Sequence, residues 1–358
     1  MTQTIHISKT ENSRINTVDF HNIPFGRIFS DHMFEADYID GKWTNLQIRP
    51  MENLSIHPSM MALHYGQSIF EGMKASKHND GTPLLFRPEL HAKRFNESAK
   101  RMMMPTIPEE IFLEGLHKLI SLDRGWIPPI KGSAMYIRPV MFATDAYIGV
   151  AASNNYKFLI LTLPVGPYYE RPISLKVERK YVRAVEGGVG EAKTCGNYAA
   201  ALLPTYLAKD KGFDQVIWMD AHEFKYIQEV GTMNLFFVFK DKVITPATTG
   251  TILKGITRRS IKQILKSEGI EVEERQLSID EVFEAYKAGS LVEAFGSGTA
   301  ALVGNINRIV DGDKEMTFDE SNWTLSTHVK RVINEIRSGE REDAFGWIVP
   351  VKDAVMAE

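Results

Sequence analysis

Lys193 lies in EAKTCGNYAAALLP (191–204), directly after the glycine-rich stretch EGGVG (186–190). Lysine side chains usually lie exposed. Here Ala199, Ala200, Ala201, Leu202 and Leu203 follow, a run that reads as buried. An amine used for chemistry at such a place would condense with an aldehyde. That needs the neutral form, and so desolvation or nearby positive charge to lower its pKa. The neighbouring glycines would let the backbone approach a flat group closely. The plain alternative is a solvated lysine leading into a helix, and spacing alone does not separate the two.

Four further features could serve the same chemistry. Glu229, in QEVGTMNLFFVF, precedes a glycine and a strongly apolar strand. If it is drawn inward it needs a partner, and a protonated pyridine nitrogen is one. Otherwise it is a solvated strand carboxylate. In GITRRS (255–260), Thr257 opens a helix whose first N–H groups and dipole favour an anion; an ordinary N-cap reads the same way. GSGTA (296–300) can turn N–H groups toward an anion or be a simple turn. Arg94 lies beside an apolar helix stripe, so its head points inward or snorkels out. Tyr65, Tyr136, Tyr168 and Tyr198 read first as core or interface aromatics, and Cys195 as a small buried residue. Taken together, an amine, a carboxylate and two anion cradles match the needs of a phosphorylated pyridine aldehyde.

These residues must be carried by elements of both kinds. FRPELHAKRFNESAKRM predicts a helix starting near Pro88, with Ala92, Phe95, Ala99 and Met102 along one stripe. PEEIFLEGLHKLISLDRG predicts a second, with Phe112, Leu116 and Leu119 inward. SAMYIRPVMFA (133–143) and YKFLILTLPV (156–165) predict strands. GPYYERPISLKV then breaks the pattern with two prolines. The expected division is an N-terminal α/β domain 1–167, an interdomain loop 168–177 and a C-terminal domain 178–358 carrying Lys193. In that half a helix follows Asn197, strands turn at Lys240-Asp241, and three helices end the pattern. Mixed elements in both halves favour an α+β fold over a doubly wound parallel sheet.

Composition narrows the classes. The chain has 358 residues, which suits two domains. Its net charge of −3 gives no basic field for nucleic acid or anionic lipid. One cysteine excludes an intrachain disulfide and any metal site built on several cysteines, so no metal is expected. The N-terminus has no apolar h-region and FLILTLPVG (158–166) is too short to span a bilayer. A cytoplasmic, membrane-free protein is the expectation.

The stretch EVGTMNLFFVFKDKVITPATTGTILKGITR (229–258) resembles the signature of class IV aminotransferases. It has the glutamate, Asn234-Leu235-Phe236, Thr245, Gly255-Ile256 and Arg258 in spaced order. LHYGQSIFEGMKA (63–75), YIRPV (136–140), GGVGEAKTCGNY and FGSGTA resemble motifs of branched-chain amino-acid aminotransferases, and the resemblance spans nearly the whole chain. It implies a two-domain, fold type IV (D-amino-acid-aminotransferase-like) architecture, with a mixed sheet domain and a β-barrel-like domain. It also implies a homodimer that uses pyridoxal 5'-phosphate.

By that resemblance Lys193 would carry the cofactor covalently, Glu229 would pair with the ring nitrogen and Tyr198 with the ring hydroxyl. Arg94, the N–H groups of Ile256 and Thr257, and the Thr299 hydroxyl would bind the phosphate. The substrate α-carboxylate would meet the N–H groups of Thr299 and Ala300. Phe70, Tyr136 and Tyr168 would line the side-chain pocket, with Tyr65 entering from a partner subunit and Arg138 taking the distal carboxylate of glutamate. The reaction implied exchanges the amino group of Leu, Ile or Val with 2-oxoglutarate in ping-pong order, glutamate and the branched 2-oxo acids being the products. Where some relatives carry Cys-x-x-Cys after the GSGTA-like turn, this chain has Ala301 and Gly304, so that thiol switch would be absent. D-amino-acid aminotransferases and aminodeoxychorismate lyases are similar rivals on the same scaffold, and a non-catalytic anion-binding protein is the rival of another class.

Overall fold

The computed structural model describes residues 4–166 and 171–352. The chain folds into two compact units that interleave in sequence. The first takes Met1–Tyr168, Ala192–Cys195 and Asn334–Glu358; the second takes Tyr169–Glu191 and Gly196–Ile333.

In the first unit, strands β1 (His6–Ile7), β2 (His32–Ile39), β3 (Lys42–Pro50), β4 (Ser68–Phe70), β5 (Met73–Lys77), β6 (Pro83–Phe86), β7 (Ala134–Ala143) and β8 (Tyr156–Val165) share one sheet. Their order is β1-β3-β2-β8-β7-β5-β6, with β4 also on β7. Only β1 with β3 is parallel. The long pair β7–β8 runs in unbroken register from Ala134↔Val165 to Ala143↔Tyr156. Helices α1 (Met61–Tyr65), α2 (Pro88–Arg101) and α3 (Glu109–Leu122) accompany it. Pro88 takes the first position of α2, where its fixed φ suits the helix and its missing N–H costs nothing. Ala92, Phe95, Ala99, Phe112, Leu116 and Leu119 are fully buried and join Phe34, Phe158 and Ile160 in one core. Met73, Ala75, Met135 and Ile137 belong to that core as well. The two-residue strand period therefore sends Lys74, Tyr136 and Arg138 to the opposite face.

The second unit holds β9 (Ile173–Val177), β10 (Gln215–Met219), β11 (Ile227–Val230), β12 (Met233–Phe239), β13 (Val243–Pro246), β14 (Val272–Arg275), β15 (Leu291–Gly298), β16 (Leu302–Asp311) and β17 (Lys314–Thr317). Six of them, in the order β11-β10-β9-β16-β15-β12, close into a barrel because β12 pairs back with β11. Residues 173–177, expected in a connecting loop, form β9 instead. Ile173, Leu175 and Val177 alternate inward, and β9 pairs in parallel with both β10 and β16. That alternation outweighs the two nearby prolines.

Helices α4 (Cys195–Ala200), α5 (Leu202–Asp210), α6 (Ile256–Ser267), α7 (Ile279–Lys287) and α8 (Leu325–Ser338) follow. The expected burial of 199–203 is corrected: Ala199 and Ala200 are exposed, and Leu202 and Leu203 are 69% and 53% exposed. α5 buries Pro204 and Ala208, four residues apart, and Ala208 packs on Val216 and Trp218 of β10. That rotation turns Leu202, Leu203, Tyr206 and Leu207 outward. The division between the units falls inside α8, after which β18 (Ile348–Pro350) pairs with β6 at the edge of the first sheet. Among the described residues no helix is long and apolar enough to cross a membrane, and no group of His, Cys, Asp or Glu could hold a metal.

Candidate active site

Lys193 sits on the short segment that the first unit claims. Thr194 bridges to Ile69 and its hydroxyl donates to the Ser68 carbonyl at 2.8 Å. The Phe70 N–H donates to the Lys193 carbonyl at 3.0 Å, and the Lys193 N–H donates to Ser98 Oγ at 2.9 Å. The backbone of Lys193 is thus held on both sides, and its Nζ lies 4.9 Å from the Phe70 ring centroid. The same ring carries the Arg138 guanidinium at 4.4 Å. Arg138 Nη2 donates to Tyr136 Oη at 3.0 Å, while its Nε is buried without a hydrogen-bond partner among the described residues. Four expected residues, Lys193, Phe70, Tyr136 and Arg138, therefore meet on one sheet face. Phe25, which no motif singled out, stands edge-on to Tyr136 at 5.6 Å. Lys74 is the cross-strand neighbour of Tyr136, and burial, then the charge of Arg337, pushes its pKa down to about 7. Tyr65 is exposed at the end of α1. Tyr168 lies outside the described residues.

Arg94 points inward from α2. Its Nε and Nη2 donate to Glu71 Oε1 and Oε2 at 2.6 and 2.9 Å, and His91, one turn earlier, donates from Nδ1 to Oε2 at 2.9 Å. Glu71 is fully buried. Burial alone would raise its pKa, but the Arg94 charge and the His91 hydrogen bond outweigh it and hold the carboxyl far below its ordinary range. Burial lowers the pKa of His91, so the neutral ring with its proton on Nδ1 is the form that serves here. Neither Glu71 nor His91 was singled out in sequence. The only signal is that Glu71 stands between Phe70 and Gly72, and His91 between Leu90 and Ala92.

Glu71→Gln leaves a buried guanidinium without its counter-ion. The expected loss is about 3–5 kcal/mol of unfolding free energy at pH 7. A carboxyl with a depressed folded pKa gives stability that is complete above its unfolded value of about 4.3 and fades as the pH falls below it. Urea titrations at pH 7 and pH 3.5 should therefore show the gap between the wild type and Glu71→Gln narrowing by about 1 kcal/mol in acid. An equal gap at both values would contradict the ion-pair account.

In the second unit Glu229, on β11, is almost wholly buried. Oε1 accepts from Asn234 Nδ2 at 3.1 Å and from the Leu253 N–H at 3.0 Å. Oε2 lies 2.7 Å from Arg183 Nε. Asn234 also donates to the Leu253 carbonyl at 2.9 Å. Beside it Gly255 caps α6, where a Cβ would come 1.9 Å from Asn234 Oδ1. Only glycine lets the start of α6 approach this amide. Ile256 and Thr257 are buried in the first turn of α6, whose N–H groups lie outside the intrahelical ladder. Thr299 and Ala300 are half-buried in the turn that leaves β15, and Tyr198 is half-buried in α4. The buried hydroxyls of Ser297 and Thr251 have no hydrogen-bond partner among the described residues. A bound polar group would supply those partners. Within the second unit, an anchored carboxylate, an anion-receptive helix start and orphaned hydroxyls fit a phosphorylated pyridine; within the first, the Lys193 amine fits an aldehyde.

A family profile for amino-transferase class IV matches residues 68–309, and the chain belongs to this family. Within the class its curated relatives carry a narrower name. It is 44% identical to branched-chain-amino-acid aminotransferase 2 of Bacillus subtilis over 98% of this chain and 97% of that one. It is 45% identical to a probable branched-chain-amino-acid aminotransferase of Staphylococcus aureus over 98% and 99%. Among solved structures, the branched-chain amino acid aminotransferase of Escherichia coli is similar with a TM-score of 0.72 and 28% identity, covering 88% of this chain and 99% of that one.

Proposed function

We propose that the chain is a pyridoxal-phosphate-dependent transaminase that exchanges the α-amino group between Leu, Ile or Val and 2-oxoglutarate in ping-pong order. The observation that carries this reading is the shared Phe70 ring, with the Lys193 amine 4.9 Å and the Arg138 guanidinium 4.4 Å from its centroid. An amine and a carboxylate receptor then lie over one apolar floor, which suits substrates whose side chains are apolar in one half-reaction and acidic in the other. When bound, the cofactor supplies an electron sink for the pair left at the substrate α-carbon. Lys193 Nζ holds the cofactor covalently between turnovers and moves the α-proton during them. Glu229 accepts from the ring nitrogen, and Tyr198 holds the ring hydroxyl. Arg94, fixed by Glu71, binds phosphate with the first N–H groups of α6 and the Thr299 hydroxyl. The N–H groups of Thr299 and Ala300 receive the substrate α-carboxylate. Phe70 and Tyr136 enclose the side chain.

Borohydride reduction of the yellow protein, followed by peptide mass mapping, tests the covalent link. The cofactor mass is expected on the Lys193 peptide, resolved from the one containing Lys74. A panel of L-leucine, D-alanine and aminodeoxychorismate then separates the branched-chain reading from its rivals on the same scaffold. A colourless protein that takes up no pyridoxal phosphate would support the anion-binding alternative.

The two compact units are proposed as the two domains, and the enzyme as a cytoplasmic homodimer in which Tyr65 serves the neighbouring site. Exposed Leu202, Leu203, Tyr206 and Leu207 support association, since a contiguous apolar helix face is costly in water. Leu203→Asp is expected to shift sedimentation toward the monomer mass of 40.5 kDa. An unchanged dimer would remove this face from the interface.

A further inference from the structure

Arg183 is the hub of the second unit's polar core. Its Nη2 donates to the Gly190 carbonyl at 3.1 Å and to the Thr251 carbonyl, while Nε lies 2.7 Å from Glu229 Oε2. Two loops and the carboxylate thus converge on one planar fork, a geometry a lysine does not reproduce. Gly190 makes the convergence possible. A Cβ there would come 2.5 Å from both the Thr251 carbonyl oxygen and Ala184 Cβ. The glycine of the approach to Lys193 is therefore required by this packing of chain on chain.

The charges are ordered as well as the shapes. Glu229 Oε1 accepts from Asn234 and Leu253, and Oε2 faces the guanidinium, and each of these partners favours the ionised carboxylate. We infer that Arg183 is a positioning residue that keeps the shared proton on the nitrogen of the bound pyridine ring and off Glu229. The inference rests on the proposed pairing of Glu229 with that ring. Coulomb interaction falls with distance. A cation in contact with the carboxylate lowers the proton affinity of Glu229 more than that of a ring on its far side. The proton then stays on the nitrogen, where it makes the ring an effective electron sink. Each pKa unit of difference between the two sites changes the proton's distribution tenfold.

The test uses holoenzyme loaded with pyridoxal phosphate labelled with 15N in the ring, observed by NMR beside single-turnover reaction with L-leucine. Arg183→Gln is expected to move the ring resonance toward that of an unprotonated pyridine and to slow the leucine half-reaction about tenfold or more. Arg183→Lys keeps the charge and is expected to return the resonance most of the way to the wild-type position. It decides the matter if Arg183→Gln does not hold the cofactor. Glu229→Gln serves as the reference and should displace the resonance at least as far as Arg183→Gln. A displaced resonance in Glu229→Gln with none in Arg183→Gln overturns the role of Arg183 and leaves that of Glu229 standing. An unmoved resonance in Glu229→Gln overturns the ring pairing itself, and the inference with it. An Arg183→Lys resonance displaced as far as that of Glu229→Gln likewise overturns it.

Discussion

Lys193→Ala is expected to lower transamination of L-leucine by at least about 10⁴-fold, because one side chain supplies both the covalent anchor and the proton-transfer group. The fold should hardly notice. Residue 193 is held through its N–H to Ser98 Oγ and its carbonyl to the Phe70 N–H, and alanine keeps both bonds. The side chain itself contributes a contact with the Phe70 ring, worth about 0.5–1 kcal/mol. Activity lost at a nearly unchanged melting temperature therefore separates chemistry from folding. Added small primary amines should recover part of the rate, since they can enter the space vacated over Phe70 and take up the proton. Full activity in Lys193→Ala would move the covalent link to another lysine. Lys74 is the first to examine, because its pKa near 7 leaves much of its amine neutral in the same unit.

Local periodicity carried much of the fold. The stripe Ala92, Phe95 and Ala99 is fully buried, and β7 and β8 run where alternating apolar residues place them. Side-chain partners at long separation were not legible. Glu71 meets His91 and Arg94 across 20 and 23 residues, and nothing local to FEGMKA says that its carboxylate is wholly enclosed. Arg183 is equally silent in sequence, because its meaning depends on two backbone carbonyls and a glutamate from three other segments. The run after Lys193 misled for a different reason. Apolar composition states that a surface avoids water, but the four-residue spacing of Pro204 and Ala208 decides which side the chain itself covers. Leu202 and Leu203 fall on the other side. At β9 the two prolines looked like a domain junction, yet Pro172 precedes the strand, where a missing N–H is tolerated. Motif resemblance marked Lys193, Phe70, Tyr136 and Arg138 as residues of one site. The sheet explains why they meet: β4 and β7 turn Phe70, Tyr136 and Arg138 to the face opposite the core, and the Phe70 N–H holds the Lys193 carbonyl beside them.

Arg138→Ala should divide the two half-reactions. The pocket must accept an isobutyl group in one and a charged carboxylate in the other. Apolar walls discriminate weakly among aliphatic side chains, at about 1–3 kcal/mol per methylene. An unpaired carboxylate is far more costly to enclose. Arg138 offers the counter-charge, with Nε buried and without a hydrogen-bond partner among the described residues, so the donor is already desolvated. Removing one partner of a buried charge pair costs about 3–5 kcal/mol. The glutamate and 2-oxoglutarate half-reaction should therefore lose roughly 10²-fold or more in kcat/KM. The leucine half-reaction loses the stacking of the guanidinium on Phe70 and its hydrogen bond to Tyr136, and should fall within about fivefold. Tyr136 should stay in place without Arg138, because its hydroxyl lies against Gly72, where any Cβ would stand 2.1 Å from it. The wall that faces a branched side chain is then intact in the variant. Arg138→Lys restores charge without the planar fork and should fall between the two. Equal losses in both half-reactions would mean that Arg138 shapes the pocket rather than recognising a carboxylate, and the acidic substrate would need another receptor.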